Sequence, residues 1–231
     1  MDVRGILMDF DGVLLDSFRD GLRRIQILCA LHDVEFSRNT RLKLFNLWGL
    51  PGVELLRQGL GINEELARRM YTDWEKMDKV SPPSLIHGAR TVLVWLRRNG
   101  FKAALITSRH RESLLEVLDL LDIKNEFLVI TSKEDCPYSK PDPRVFRFAL
   151  ETLKERCGIE KSQCVFVGDT PSDTVAGHTA ELETLVVQTG PYLLEHITKF
   201  PVPLGNVLRS IDDLPLWIEK HHEGELKELY Q

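Results

Sequence analysis

The sequence predicts an α/β protein, a doubly wound and mostly parallel sheet interrupted near its start by an inserted helical domain. Two observations predict this. From residue 85 onward, short apolar strands rich in Val, Ile, Leu and Ala alternate with amphipathic helical stretches. Strands without polar alternation, separated by helices, belong to a parallel sheet covered on both faces. Between residues 17 and 80, directly after one short strand, only helical periodicity is found. The expected domains are 1–14 with 85–231 for the α/β core, and 15–84 for a helical cap inserted after the first strand.

The elements follow in order. Residues 3–8 (VRGILM) are apolar and end in Asp-Phe-Asp-Gly, a strand running into a turn. Phe18, Leu22, Ile25, Leu28 and Cys29 recur at helical spacing, and further helices are expected over 40–48 and 52–60. Asn63 is placed to cap a fourth helix, and Ser-Pro-Pro at 81–83 reads as a linker. Then come a helix from Ala89 closed by Gly100, a strand over 102–107, a helix from Arg111 and a strand over 127–130. A helix from Pro143 to Gly158, a strand over 164–168, a helix over 173–180 and a strand over 184–188 continue the alternation. A short strand near 206–208, a helix over 211–221 and a polar tail complete it.

The 231 residues suffice for one good core and a small extra domain. A net charge of −5 argues against a nucleic-acid partner, which favours a basic surface. No apolar run approaches the length that spans a bilayer, so no membrane partner is expected. Cys29, Cys136, Cys157 and Cys164 form no C-x-x-C pair, which fits free thiols in a reducing cytoplasm.

Four features carry chemistry, and each falls at the C-terminal end of an expected strand or in the loop after it. They are Asp9-Phe10-Asp11-Gly12, Thr107 with Ser108, Lys140 in Ser-Lys-Pro-Asp-Pro, and Gly168-Asp169-Thr170-Pro171-Ser172-Asp173. In open α/β sheets ligands bind at that edge. Asp9 and Asp11 are two apart, so in extended backbone their carboxylates point the same way, roughly 7 Å apart along the chain. One can act as a nucleophile while the other handles a proton. Asp169 and Asp173 add carboxylate to the same edge, where crowded acids call for a cation. Oxygen-only ligands with room for water suit Mg²⁺. Each feature alone also has a plainer reading: a solvated turn, a helix cap at Thr107 or Asp173, a surface lysine at Lys140.

Taken together and in order, DFDGVLLDS, Thr107, SKPDP and VFVGDTPSD resemble the haloacid dehalogenase superfamily of phosphohydrolases. The resemblance covers essentially the whole chain, and within the superfamily it is to the phosphoglycolate phosphatase and β-phosphoglucomutase branch. It implies a Rossmann-like core with a helical cap and a Mg²⁺ cofactor. It implies a small phosphorylated metabolite as partner, and hydrolysis of a phosphoglycolate-like monoester through an aspartyl-phosphate. It assigns Asp9 as nucleophile and Asp11 as general acid, then base. Thr107, with Ser108 as competitor, and Lys140 hold the phosphoryl group. Asp9, the Asp11 carbonyl and Asp169 bind the metal, with Asp173 a ligand or an orienting partner. A cytoplasmic monomer or homodimer is expected.

The chain departs from the branch in two places. Ala180-Glu181-Leu182 stands where an Ala-Gly pair is common, and Trp48 stands where β-phosphoglucomutases carry a cap lysine. The second departure lowers the mutase alternative. A non-catalytic phosphate binder is the other alternative, and it has no use for Asp9 and Asp11 together. Arg109 and Arg111 can reach substrate or simply be solvated. His87, His110 and His178 lack a ligand spacing and read as ordinary polar residues.

Overall fold

A computed structural model describes residues 2–81, 83–192 and 202–222. The chain divides into two compact units, Met1–Leu15 with Leu85–Gln231, and Asp16–Ser84. Pro82 of the expected linker and the polar tail at 223–231 lie outside the described residues.

The first unit is built on six parallel strands: β1 (Gly5–Met8), β2 (Lys102–Ile106), β3 (Phe127–Thr131), β4 (Cys164–Gly168), β5 (Glu183–Val187) and β6 (Val207–Leu208). Their order is β3-β2-β1-β4-β5-β6. The chain winds outward from β1 in one direction and from β4 in the other, so the winding reverses between those two strands. β1 is entirely buried, and its side chains alternate between two cores. Ile6 and Met8 join Val92, Leu96, Leu118 and Trp217 on one face. Leu7 joins Phe146, Leu153, Phe166 and Ala176 on the other. Helices α5 (Ala89–Arg98), α6 (Arg111–Leu120) and α9 (Leu214–His221) supply the first core, and α7 (Arg147–Cys157) and α8 (Pro171–Thr179) the second. Because both faces are covered, the strands carry no polar alternation.

The expected helix from Pro143 begins differently. Residues Pro143–Phe146 form a 3₁₀ turn, and the α-helix starts at Arg147. Asp142 caps that turn by accepting from Arg144 N at 2.9 Å.

The second unit holds α1 (Ser17–Leu31), α2 (Arg38–Leu47), α3 (Gly52–Leu60) and α4 (Glu64–Val80). Ile25, Leu28, Leu44, Leu56 and Met70 form its core. Asn63 caps α4 by accepting from Leu66 N at 2.9 Å. Trp48 packs edge-on against Phe18, with ring centroids 5.0 Å apart. All four cysteines are free, and Cys29 and Cys164 are buried.

Leu7 has no exposed surface and sits in the central strand. Leu7→Ala is expected to destabilise the protein by about 3 kcal/mol, the scale of a buried leucine truncation. Urea unfolding followed by tryptophan fluorescence would show the midpoint fall with an unchanged slope.

Candidate active site

The strand register assembles the site. Met8 of β1 lies opposite Val167 of β4, and Asp9 N donates to Val167 O at 2.9 Å. Asp9 and Asp169 therefore leave the sheet side by side. Asp173, in the first turn of α8, accepts through one oxygen from Thr170 Oγ1 at 2.6 Å, Thr170 N at 2.9 Å and Asp169 N at 3.2 Å. Its other oxygen lies 2.6 Å from Lys140 Nζ. The sequence leaves Asp173 between helix cap and site residue, and in the fold it closes a capping box with the N-cap Thr170 and also reaches into the cluster. Lys140 lies in the loop after β3, with its Nζ also 2.7 Å from Asp9 Oδ2. The second Asp9 oxygen accepts from Phe10 N at 2.7 Å.

Asp169 is held by close approach. A Cβ at Gly12 would meet Asp169 Oδ2 at 2.0 Å, and one at Gly190 would meet it at 1.9 Å. Gly12 also has φ +79°, a backbone that side chains rarely adopt. No local sequence pattern marks the loop after β5 that carries Gly190. Thr189 ties it down by donating to Gly12 O at 2.6 Å.

Asp9, Asp169 and Asp173 are all buried. Burial pushes the Asp9 carboxyl up to about 7, helped by Asp173 and Asp11 and opposed by Lys140. Burial, then Asp173 and Asp9, hold Asp169 well above the ordinary carboxylate range. Burial works against the Lys140 ammonium, but Asp173 and Asp9 outweigh it and raise its pKa above the usual value. With all three carboxylates ionised, the cluster and its one ammonium sum to −2, the charge one divalent cation would offset.

The donor set fits such a cation. One oxygen from each of Asp9, Asp169 and Asp173 lies within 4.8 Å of the others. Oxygens on opposite sides of an ion with bonds of about 2.1–2.4 Å lie about 4.2–4.8 Å apart. Asp169 Oδ1 is buried and has no hydrogen-bond partner among the described residues. A buried orphan acceptor in an all-oxygen cluster suits a hard ion such as Mg²⁺.

Asp11 turns elsewhere. The extended geometry expected for Asp9-Phe10-Asp11 ends at Phe10, whose carbonyl accepts from Leu14 N and Leu15 N, both at 3.0 Å. Asp11 instead forms a bidentate pair with Arg109, with Nε–Oδ2 2.8 Å and Nη2–Oδ1 2.7 Å. The sequence alone leaves Arg109 between a substrate contact and a solvated residue. Its partner lies 98 residues away, beyond the reach of local pattern. Arg111 pairs with Asp135 and His110 with Glu134, both on the surface.

Thr107 is buried at the end of β2, and its Oγ1 accepts from Arg109 N at 3.2 Å. Ser108 beside it is exposed. Both line a narrow space of about 20 Å³ together with Ser132, Ser139 and Lys140.

The profile of the haloacid dehalogenase-like hydrolase family matches residues 6–187. The chain is 29% identical over 225 residues to a phosphoglycolate phosphatase of Pseudomonas syringae pv. tomato, spanning 90% of this chain and 76% of that one. It is 25% identical to the pyrophosphatase PpaX of Halalkalibacterium halodurans over 93% and 96% of the two chains. Among solved structures, one described as a predicted phosphoglycolate phosphatase from Haemophilus somnus superposes with a TM-score of 0.75 at 18% identity, covering 94% and 98% of the two chains. This chain belongs to the haloacid dehalogenase-like hydrolases. Its relatives of assigned activity place it among the phosphatases of that family. Among the described residues, no helix is long and apolar enough to cross a membrane.

The crowded acids make the metal-free protein sensitive to pH in a definite direction. Folded Asp9 and Asp169 keep protons that the unfolded chain releases near its ordinary value of 3.8. Stability then falls as pH rises from about 4 through about 7, because the folded state binds more protons. Calorimetry in EDTA should show a lower melting temperature at pH 8 than at pH 5.5, with a smaller difference in Asp169→Asn. Equal pH slopes in the two proteins would contradict the raised Asp169 carboxyl.

Proposed function

We propose that this chain is a Mg²⁺-dependent phosphatase that hydrolyses a small phosphate monoester of the phosphoglycolate type through an aspartyl-phosphate on Asp9. The observation that carries it is the setting of the Asp9 carboxylate. It stands at the edge of the central strand, oriented at both oxygens by Lys140 and Phe10 N, and its neighbours Asp169 and Asp173 are suited to a cation. A buried, oriented carboxylate beside an ammonium has the form of a nucleophile for an electrophile that brings its own negative charge.

Asp9, the Asp11 carbonyl, Asp169 and Asp173 would hold the Mg²⁺, which when bound offsets charge on the phosphoryl oxygens. One Asp9 oxygen attacks phosphorus as the ester P–O bond breaks, and Asp11 gives its proton to the departing alkoxide. Water then attacks the same phosphorus and passes a proton to the Asp11 carboxylate. The Asp9–phosphorus bond breaks, releasing inorganic phosphate and restoring both acids. Lys140 faces the transferred group with its ammonium. Thr107, with Ser108 beside it, offers a hydroxyl and N–H groups to its oxygens. The named activities of the relatives support the substrate class, since phosphoglycolate and pyrophosphate are both small and each carries a second anionic group beside the phosphoryl group to be transferred.

Phosphate release from 2-phosphoglycolate and pyrophosphate, with Mg²⁺ and with EDTA, tests this. Asp9→Asn should lower the rate at least about 10³-fold, the scale of losing a nucleophile, and EDTA should abolish release. Wild-type rates in the folded Asn variant would exclude the covalent route.

A further inference from the structure

We propose that Arg109 is the residue that reads the alcohol part of the substrate, its guanidinium exchanging the Asp11 carboxylate for a carboxylate carried next to the ester oxygen. The inference rests on the phosphatase reading above and extends it to the chemical class of the leaving group.

Arg109 is already engaged by a carboxylate. Both arms of its fork meet Asp11, at 2.8 and 2.7 Å. A planar, two-point match of this kind is what a guanidinium offers and an ammonium does not. The residue is also well placed. Its N–H donates to Thr107 Oγ1 at 3.2 Å, and its carbonyl accepts from Lys133 N at 3.0 Å. The guanidinium lies 5.5 Å from the centre of the Phe10 ring. The fork thus hangs from the backbone beside Thr107, over the residue between Asp9 and Asp11. The pair is reachable, since 17% of the Arg109 side chain and 30% of that of Asp11 are exposed.

An Asp11 clamped at both oxygens cannot turn to the leaving oxygen, which is the task the proposed reaction gives it. Something must draw the fork away. An ester whose alcohol part bears a carboxylate on the adjacent carbon brings the group that Arg109 now holds, within reach of the same fork. The exchange keeps two charge-assisted bonds on Arg109 and frees the Asp11 carboxylate beside the bond to be broken, where it takes from solvent the proton it passes to the leaving oxygen. A neutral alcohol offers the fork nothing, so Asp11 stays clamped. Selection for a phosphorylated hydroxy acid is then built into the release of the proton donor.

The test compares kcat/KM for 2-phosphoglycolate, pyrophosphate and ethyl phosphate in wild type, Arg109→Met and Arg109→Lys. Ratios between substrates cancel any loss of folded enzyme. Arg109→Met should lower the 2-phosphoglycolate to ethyl phosphate ratio about 30-fold, the scale of a charge-assisted pair. Arg109→Lys should recover only part of it, for want of the fork. A ratio within twofold of wild type in Arg109→Met overturns the proposal. An equal fall in the pyrophosphate to ethyl phosphate ratio overturns the choice of a carboxylate. Calorimetric titration of 2-phosphoglycolate into Asp9→Asn and Asp9→Asn/Arg109→Met, with Mg²⁺ present, reads the same contact without turnover. It should show a similar loss of affinity, and equal affinities overturn the proposal. If wild type releases phosphate from no ester, the phosphatase reading falls while this titration still decides the role of Arg109.

Discussion

Three carboxylates share one buried space with a single ammonium, and the local structure around them follows from keeping them there. Like charges at that distance drive one another apart or take up protons unless positive charge is placed among them. Lys140 touches two of the three, at 2.7 and 2.6 Å. The backbone restrains the rest. Asp173 is fixed by three donors at its own helix start, and Asp169 is confined between Gly12 and Gly190. The cluster is held in a conformation that repulsion alone would scatter, which is how a site is readied for an ion and for a charged substrate.

The sheet supplies the geometry that side chains alone could not. β1 and β4 are neighbours although they are separated by most of the chain, and the winding reverses between them. At such a point the segments that follow the two strands diverge to opposite sides and leave a crevice at the carboxyl edge. Register then matters at single-residue precision. A slip of one residue between β1 and β4 would turn Asp169 to the other face of the sheet. The two buried cores on either side of Leu7 and Ile6 prevent that slip, so packing far from the acids sets the spacing between them.

The alternation of strands and helices was legible in the sequence because apolar period and glycine or proline punctuation are local signals. Four residues of the candidate site were legible for the same reason: Asp9, Lys140, Asp169 and Asp173 each sit in a short pattern after a strand end. Three features were not. The Arg109–Asp11 pair joins segments 98 residues apart, and nothing near Arg109 distinguishes it from the exposed Arg111. Gly190 lies after a strand that was recognised, yet its importance comes from how closely Asp169 approaches it. That distance exists only once β4 and β5 pair. The bend at Phe10 was hidden too, because it depends on the hydrogen bonds its carbonyl receives from residues four and five positions on.

The two cations of the site differ in kind, and the difference matches their surroundings. Lys140 is a compact charge that bridges carboxylates from two elements, and it is held where burial would otherwise strip its proton. Three donors on one nitrogen suit a crowd of oxygens whose positions shift as charge moves. Arg109 presents a flat fork to one carboxylate at the more open side of the cluster. A fork distinguishes partners by shape, whereas a point charge accepts any nearby anion. In the proposed reaction the inner position would supply the charge any phosphoryl group requires. The outer one, paired with Asp11, would supply the means to tell one alcohol part from another.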